Sequence, residues 1–172
     1  MQNVELKARL ADLEPARQVA ASIATQHVGT EHQIDTYFHC SQGRLKLREI
    51  QGLVAQLISY SRPDQEGPKT SDYLLVPVAD PEPLKAALAA ALGIRVVVDK
   101  RREIYLVDNV RIHLDEVRGL GQFLEFEAVL GLGIDEAAGR AQLDQLAATF
   151  AIHPANRLAG SYADLLSSRT TA

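Results

Sequence analysis

Glutamates at alternate positions in the last third of the chain are the residues best suited to hold a metal ion. Glu125 and Glu127 lie two residues apart, so on an extended strand they share a face, with α-carbons roughly 7 Å apart. Their carboxylates can converge on one divalent ion, or on two ions about 4 Å apart. Glu5, in a similar segment near the N-terminus, could add a third. Oxygen ligands without cysteine, and with only His113 nearby, favour Mg²⁺ or Mn²⁺ over Zn²⁺, although a lone Glu-x-Glu pair is common on solvated surfaces.

Lysines and arginines recur at the same alternate spacing. Several segments place charges on one face and aliphatic residues on the other; Lys46 and Arg48, for example, alternate with Leu45 and Leu47. Arginine can form two parallel hydrogen bonds with a phosphate, and lysine supplies a point charge. Such a set suits a polyanion that is bound together with metal ions. Its members are Lys7, Arg9, Lys46, Arg48, Arg62, Lys100, Arg102 and Arg111.

The segments that carry these residues are typical of short strands with helices inserted between hairpins. Gly43, Gly52 and the pair Asp108-Asn109 indicate tight turns, and the Pro- and Gly-containing stretch 62–68 indicates a loop. Residue spacing predicts strands over 3–10, 32–40, 44–51, 53–62, 72–79, 94–107, 109–117 and 122–130, and helices over 14–28, 81–92, 135–150 and 161–166. The expected fold class is α+β in one domain, 1–172: an eight-stranded antiparallel β-barrel, or a strongly curved sheet, with helices packed outside.

Two closures fit strands that have one charged face. In the first, a sheet packs its apolar face on the helices and leaves its charged face in water, which is the ordinary arrangement for antiparallel sheets. In the second, a closed barrel turns the charged faces inward and the aliphatic faces outward, partly under the helices. Charges that leave water must be paired or bound, so the second closure requires a ligand. The strand pattern alone leaves both open.

The composition fits a protein without a general nucleic-acid surface or a membrane segment. The net charge is −4, whereas proteins that bind the nucleic-acid backbone usually have a basic excess. Apolar runs stay below the roughly 18 residues of a membrane helix, and early charged residues do not fit a signal peptide. The single cysteine, Cys40, excludes an intramolecular disulfide and is expected in the core. The expectation is a soluble, cytoplasmic protein.

Seven short motifs follow one another along nearly the whole chain. They are Glu5-x-Lys7-x-Arg9, Gln33-x-Asp35-Thr36-Tyr37-Phe38, Leu45-Lys46-Leu47-Arg48-Glu49, Tyr60-x-Arg62-Pro63, Lys100-x-Arg102-x-x-Tyr105, Ile112-His113-Leu114-Asp115-x-Val117-x-Gly119-Leu120-Gly121-x-Phe123-x-Glu125-x-Glu127 and Ser161-Tyr162-x-Asp164-Leu165-Leu166. The series resembles the CYTH superfamily, also called triphosphate tunnel metalloenzymes. It is most similar to the class IV adenylyl cyclase-like branch, and the resemblance extends to thiamine triphosphatases.

The resemblance implies an eight-stranded tunnel that holds a triphosphate with Mg²⁺ or Mn²⁺. The cations named above would contact phosphate oxygens. Glu5, Glu125 and Glu127 would ligate the metal ions, and Glu5, Lys7 and Glu127 would act in catalysis. The bound molecule would be ATP, tripolyphosphate or thiamine triphosphate, and relatives of this kind often form homodimers.

One position departs from the family pattern. The family's first strand carries Glu-x-Glu-x-Lys, whereas this chain has Asn3 at the first glutamate; asparagine offers an oxygen but neither a charge nor a base. Asp35 and Asp115 would be secondary groups that orient cations or a water. Three functions stay open: a metal-dependent triphosphate hydrolase, a class IV adenylyl cyclase that makes cyclic AMP and pyrophosphate from ATP, and a non-catalytic nucleotide or polyphosphate sensor, which Asn3 favours.

Overall fold

A computed structural model describes residues 1–131 and 133–170, so the predicted domain 1–172 includes a few residues outside that range. Within the described residues, eight strands and four α-helices form the α+β architecture that the sequence predicts. The strands are β1 (Gln2–Leu10), β2 (Gln26–Phe38), β3 (Arg44–Ile50), β4 (Ala55–Ser61), β5 (Lys69–Val78), β6 (Ile94–Val107), β7 (Val110–Val117) and β8 (Gly121–Val129), and the helices are α1 (Glu14–Ile23), α2 (Pro81–Leu92), α3 (Glu136–Thr149) and α4 (Tyr162–Thr170), with a short 3₁₀ turn at Pro154–Asn156.

The strands pair antiparallel and close into a barrel in the order β1-β5-β4-β3-β2-β6-β7-β8. Closure depends on β1, which pairs with both β5 and β8; Glu5, for example, lies opposite Lys69 on one side and Glu127 on the other. Gly43 and Gly52 form the hairpin turns with φ angles of 62° and 78°, which glycine adopts without steric cost. The predicted eight-stranded antiparallel barrel is therefore confirmed.

The aliphatic faces of β1, β7 and β8 turn outward and pack against helices α1 and α3. Leu6, Ile112 and Phe126 are fully buried and belong to one cluster with Ala16 of α1 and Leu143 of α3. Burying one such large side chain contributes about 1.5–3 kcal/mol, so this cluster is a substantial core. The largest apolar core thus lies outside the barrel wall, and the closed barrel with inward charges is the closure that the chain adopts.

Apolar side chains plug one end of the barrel from within. Tyr37 of β2, Val98 of β6 and Phe123 of β8 form a cluster with Tyr162 and Ala163 of α4. The Tyr162 ring lies 4.9 Å from that of Phe123 and is buried. Because α4 fills this end, access to the interior comes from the opposite end.

A pair of polar residues fixes the start of α4. The hydroxyl of Ser161 accepts a hydrogen bond from the backbone N–H of Asp164 at 3.2 Å, and the Asp164 carboxylate accepts one from the backbone N–H of Ser161 at 2.8 Å. This reciprocal arrangement is a capping box. Arg44 and Arg95 also donate to the Asp164 carboxylate at 3.1 and 2.7 Å. The helix predicted over 161–166 is present, with Ser161 as its cap, and continues to residue 170.

Two local expectations are wrong. The helix predicted over 14–28 ends at Ile23, and β2 begins at Gln26 instead of at residue 32. The backbone N–H of Thr25 already bonds to Leu106 of β6 at 2.8 Å, and this distant strand recruits a segment whose local spacing is helical. Cys40, expected in the core, is exposed.

No helix of the described chain has the length and apolar character needed to cross a bilayer.

Candidate functional site

The inward faces of the strands line a cavity of about 490 Å³ that contains charges of both signs. Its charged and imidazole-bearing lining residues are Glu5, Lys7, Glu31, Lys46, Arg48, Arg62, Lys100, Arg102, Arg111, His113, Glu125 and Glu127. Every predicted site residue except Arg9 is in this set. The guanidinium of Arg9 donates to the backbone oxygen of Leu120 at 2.9 Å and lies 4.8 Å from the Phe123 ring. Its predicted contact with phosphate therefore has no support from this geometry.

Three cations converge on Asp35 at the wall formed by β2, β3 and β6. Lys46, Arg48 and Lys100 approach its carboxylate to 2.9, 2.7 and 3.3 Å. Burial opposes ionisation of Asp35, but these cations outweigh it and hold its pKa well below the usual value. Burial and the Arg48 guanidinium lower the pKa of Lys46 to about 8, and burial and Arg102 hold the pKa of Lys100 well below its usual value. Three cations against one carboxylate leave this wall with excess positive charge.

The opposite wall, formed by β1 and β8, carries three glutamates. Glu5 lies directly opposite Glu127 in the strand register. Glu125 contacts Lys7 and, at 2.6 Å, Arg102. Burial opposes the ionisation of Glu125, but these two cations hold its pKa well below the usual value. Glu125 is therefore a carboxylate at neutral pH.

Glu5 and Glu127 have fewer positive partners than Glu125. Arg62 contacts Glu5. Arg111 lies 3.6 Å from Glu127, and 45% of the Arg111 side chain is exposed. Burial raises the pKa of Glu5 despite the opposing charge of Arg62. A carboxyl group with a raised pKa can accept a proton near neutral pH, and the weakly paired Glu127 can take a metal ion.

Two further cavity residues add donor atoms to the glutamate wall. His113 of β7 is buried, and burial together with Arg102 lowers its pKa, which favours the neutral ring. Ligand atoms of His113, Glu125 and Glu127 lie within 4.8 Å of one another. Asn3 of β1 lines the same cavity, and its amide oxygen has no hydrogen-bond partner among the described residues. Carboxylate, amide and imidazole donors together suit a divalent metal ion.

The plug at the closed end orders part of the charged site. The Tyr162 hydroxyl donates to Asp115 at 2.7 Å, and Arg102 binds the same carboxylate at 2.7 and 2.6 Å. The ammonium group of Lys7 lies 4.0 Å from the centre of the Tyr162 ring, which is a cation–π distance. Docking of α4 therefore helps to position Lys7 and Arg102.

Apolar side chains line the open end of the cavity. Val28, Ile104 and Leu106 come from β2 and β6, and Ile50 and Leu75 from β3 and β5. Val28 is 49% exposed. Aliphatic side chains with a few polar groups are the usual lining for an organic ligand, so this rim can contact an uncharged part of a bound molecule. The sequence did not reveal the rim, because its residues lie on four different strands.

Sequence reasoning missed Lys69, because the predicted strand starts three residues too late. Lys69 is the first residue of β5 and is fully buried. Burial and Arg62 lower its pKa to about 8. Its alternate spacing with Ser71 could have indicated an inward position. Its ammonium group donates at 2.8–3.1 Å to the backbone oxygens of Gln65, Leu158 and Ala159, so it joins the 62–68 loop to the segment before α4.

The fold and the cavity define the class of this protein: a closed antiparallel β-barrel with a cationic wall facing a carboxylate wall. The sequence places it more narrowly. The chain belongs to the CYTH domain family, whose sequence profile matches residues 1–162. This match confirms the resemblance that the seven motifs indicate. No curated protein matches the chain significantly in sequence.

Solved structures share the fold over nearly the whole chain. The PH1012 protein from Pyrococcus horikoshii OT3 has a TM-score of 0.85 at 23% identity, covering 95% of this chain and 98% of that chain. A candidate adenylate cyclase from Vibrio parahaemolyticus has a TM-score of 0.78 at 23% identity, with 96% and 97% covered. A candidate adenylyl cyclase from Hippeastrum, described as having a dominant triphosphatase activity, has a TM-score of 0.65 at 15% identity, with 98% and 96% covered. At these identities the likeness establishes the fold.

Proposed function

We propose that this protein is a divalent-metal-dependent hydrolase of triphosphates and that residues 1–172 act as one triphosphate-binding domain. The observation that carries the proposal is the facing pair of walls in the barrel, one with excess cations around Asp35 and one with Glu5, Glu125 and Glu127. A triphosphate matches the first wall by charge, and metal ions would join it to the second. Membership of the CYTH family agrees with this assignment.

The cationic wall supplies the phosphate contacts in this proposal. Arg48 binds Asp35 through Nε and Nη2, which leaves Nη1 available for a phosphate oxygen. Lys46 and Lys100 each make one described hydrogen bond, also to Asp35, and an ammonium group has three donors. The carboxylate thus orients three cations while leaving donors for the ligand. Arg62, Arg102, Arg111 and Lys7 would complete the set from neighbouring strands.

The glutamate wall would hold the metal ions that the family implies. Glu5, Glu125 and Glu127 are oxygen donors, and the unpartnered amide oxygen of Asn3 lies on the same wall. This donor set fits a hard divalent ion such as Mg²⁺ or Mn²⁺. When bound, such an ion would neutralise charge on the phosphate oxygens and orient the terminal phosphoryl group.

Side chains of the cavity would accept the proton and stabilise the negative charge that develops in the transition state. Water would attack the terminal phosphorus in line with the bridging oxygen, whose bond to that phosphorus breaks as diphosphate (from tripolyphosphate) or ADP (from ATP) leaves. Glu5, whose carboxylate has one oxygen for the metal ion and one for the water, would accept the proton of that water, and Glu127 would orient it. Lys7 would stabilise negative charge on the phosphoryl oxygens in the transition state.

The test measures phosphate release from tripolyphosphate and from ATP with Mg²⁺ or Mn²⁺. Glu127→Gln should lower metal-dependent turnover by roughly 100-fold or more, the scale of a lost acid–base or ligand group. Arg48→Ala should weaken triphosphate binding while the fold persists, because Asp35 keeps Lys46 and Lys100.

A matched control for these variants is Glu116→Gln, which removes an exposed carboxylate from β7 and should keep wild-type kinetics. Wild-type turnover in Glu127→Gln would contradict the assigned role. Absence of turnover in the wild-type protein with every substrate and metal ion would contradict the hydrolase assignment itself.

A class IV adenylyl cyclase is the second candidate, because the apolar rim at the open end can receive an organic group. The ribose 3′-hydroxyl would then attack the α-phosphorus of ATP. Cyclic AMP and pyrophosphate as products would support the cyclase, and phosphate release would support the hydrolase. Binding without turnover would support the sensor. Asn3→Glu should raise activity if that position contributes to a metal site, and no change would show that it does not. A cytoplasmic location and a homodimer stay predictions.

A further inference from the structure

His113 is a buried imidazole with little hydrogen bonding. It is 4% exposed, and its one described hydrogen bond joins Nδ1 to Glu125 Oε2 at 3.4 Å. That distance exceeds the roughly 2.7–3.2 Å of an ordinary hydrogen bond to nitrogen. Buried polar side chains normally have good partners. Hydrogen bonds within the described chain therefore do not account for this imidazole inside a charged cavity.

The strand register gathers His113 with two carboxylates. His113 lies opposite Glu125 in the β7–β8 pairing, and Glu127 follows two residues later on the same face. Donor atoms of the three residues lie within 4.8 Å of one another. Metal–ligand bonds of about 2.1 Å hold neighbouring donor atoms roughly 3–4 Å apart. Side-chain rotations, with release of Glu125 from Lys7 or Arg102, would bring all three donors to one ion.

Asn3 provides a second, independent observation on the adjoining strand. It is 5% exposed and lines the same cavity, and its amide oxygen lacks a partner among the described residues. In the β1–β8 pairing it lies two residues before Glu5, the residue opposite Glu127. A buried carbonyl oxygen is expected to have a partner, and a cation held by the neighbouring glutamates would supply one.

We infer that His113 supplies a nitrogen ligand to the metal site of the three glutamates, which Asn3 adjoins, and that the site consequently prefers Mn²⁺ to Mg²⁺. The inference rests on the proposed metal dependence. Mg²⁺ takes oxygen ligands in near-ideal octahedral geometry, and the neutral amide of Asn3 attracts it less than a carboxylate would. Imidazole suits transition-metal ions, so His113 offsets that loss for Mn²⁺ but not for Mg²⁺.

Manganese itself is the probe, because its unpaired electrons couple to a directly bound nitrogen. The full chain is loaded with Mn²⁺ without substrate, and pulsed electron paramagnetic resonance measures the coupling to ¹⁴N. We expect the signal of one imidazole nitrogen in the wild-type protein and its loss in His113→Gln. The matched control is His32→Gln on the outer surface, where His32 pairs with Asp99; it should keep the signal. Bound Mn²⁺ without nitrogen coupling in the wild-type protein, or no bound Mn²⁺, would overturn the inference.

Metal affinity gives a second readout that is independent of catalysis. Calorimetric titration should show that His113→Gln binds Mn²⁺ more weakly than the wild-type protein by roughly tenfold or more, the scale of affinity loss when groups around a metal site are mutated. The affinity for Mg²⁺ should change little. Equal losses for both ions would mean that His113 supports the cavity without ligating, which overturns the inference. Failure of the proposed function would appear separately, as wild-type protein that binds Mn²⁺ through nitrogen and releases no phosphate.

Discussion

Lys46 and Lys100 are buried inside the barrel, and burial disfavours their protonated form. Burial and neighbouring guanidinium groups lower the pKa of both lysines, although the negative charge of Asp35 partly opposes this shift. Without a bound anion, the cationic wall is therefore electrostatically unfavourable. A triphosphate would stabilise the protonated lysines, and its affinity should depend on whether they are charged.

At the residue scale, the affinity for tripolyphosphate should fall as the pH rises through about 8, the pKa of Lys46. Below that pH the lysine is protonated and attracts the ligand; above it, binding requires uptake of a proton. Because binding is linked to one proton, the affinity can fall by at most roughly tenfold per pH unit. Metal-free calorimetric titrations from pH 7 to 9 measure it.

Lys46→Arg is the matched variant for this pH test. Arginine stays protonated throughout the range, so the fall in affinity should become shallower. Titration of the ligand and of Lys69, whose pKa is also about 8, occurs in both proteins and cancels in the comparison. Identical pH profiles would show that Lys46 does not titrate against the ligand.

At the scale of elements, the inward face of the strands changes along the barrel. It is apolar at the plugged end, charged in the middle and apolar again at the open rim. The plug places Tyr162 against Asp115 and Lys7, so one helix both closes the barrel and orders the cations. The rim lies at the other end, where an organic group on a triphosphate would emerge.

Removing the hydroxyl of the plug should loosen α4. Tyr162→Phe deletes the 2.7 Å hydrogen bond to the buried Asp115 carboxylate and should lower the free energy of unfolding by about 1.5–3 kcal/mol, typical for a hydrogen bond to a charged group. Urea unfolding measures it. Tyr73→Phe is the control, because the Tyr73 hydroxyl makes no hydrogen bond within the described residues. Equal stability of the two variants would show that the plug does not depend on this contact.

The rim should distinguish organic from inorganic triphosphates. Val28→Asn removes a partly exposed aliphatic side chain at the open end and should raise the KM for ATP by roughly three- to tenfold, from the loss of about 1 kcal/mol of apolar contact. The KM for tripolyphosphate should not change. Val97→Asn is the control, since Val97 is similarly exposed, at 47%, but does not line the cavity. Equal changes for both substrates would contradict a specificity role for the rim.

At the scale of the whole molecule, the residues that form the main apolar core are not the residues that line the cavity. This core lies between the strands and the helices α1 and α3, while the interior holds buried ion pairs. Buried ion pairs often contribute little or negative net stability relative to apolar residues of the same size. The outer core can therefore hold the barrel together despite the charged interior.

Replacing one interior cation should show whether a buried charge lowers the stability of the unliganded protein while it supports ligand binding. Lys100→Met should raise the free energy of unfolding of the unliganded protein by about 1 kcal/mol, because Asp35 keeps Lys46 and Arg48 as partners. The increase in Tm that tripolyphosphate causes should shrink. Calorimetry with and without the ligand measures both, and Lys85→Met, on the outer surface, should change neither appreciably. A lower Tm with an undiminished ligand shift would contradict the argument.

The sequence alone determined the class of the fold and most of the cavity. Strict alternation places Glu5 with Lys7, or Lys46 with Arg48, on one face of a strand, whatever the tertiary structure, because side chains on a strand alternate with a period of two. The seven motifs added the family and, by resemblance, the eight-stranded tunnel. Ten of the eleven predicted site residues accordingly line one cavity.

Only the tertiary structure decided which face turns inward and what lies at each end. The orientation depends on β1 closing against both β5 and β8, a contact between distant segments that no local pattern encodes. The same reason explains the strand over 26–31, which pairs with β6, and the separation of Arg9 from the cavity by the plug. The proximity of His113 to Glu127 is likewise a matter of register between strands, so it emerges only once the barrel has closed.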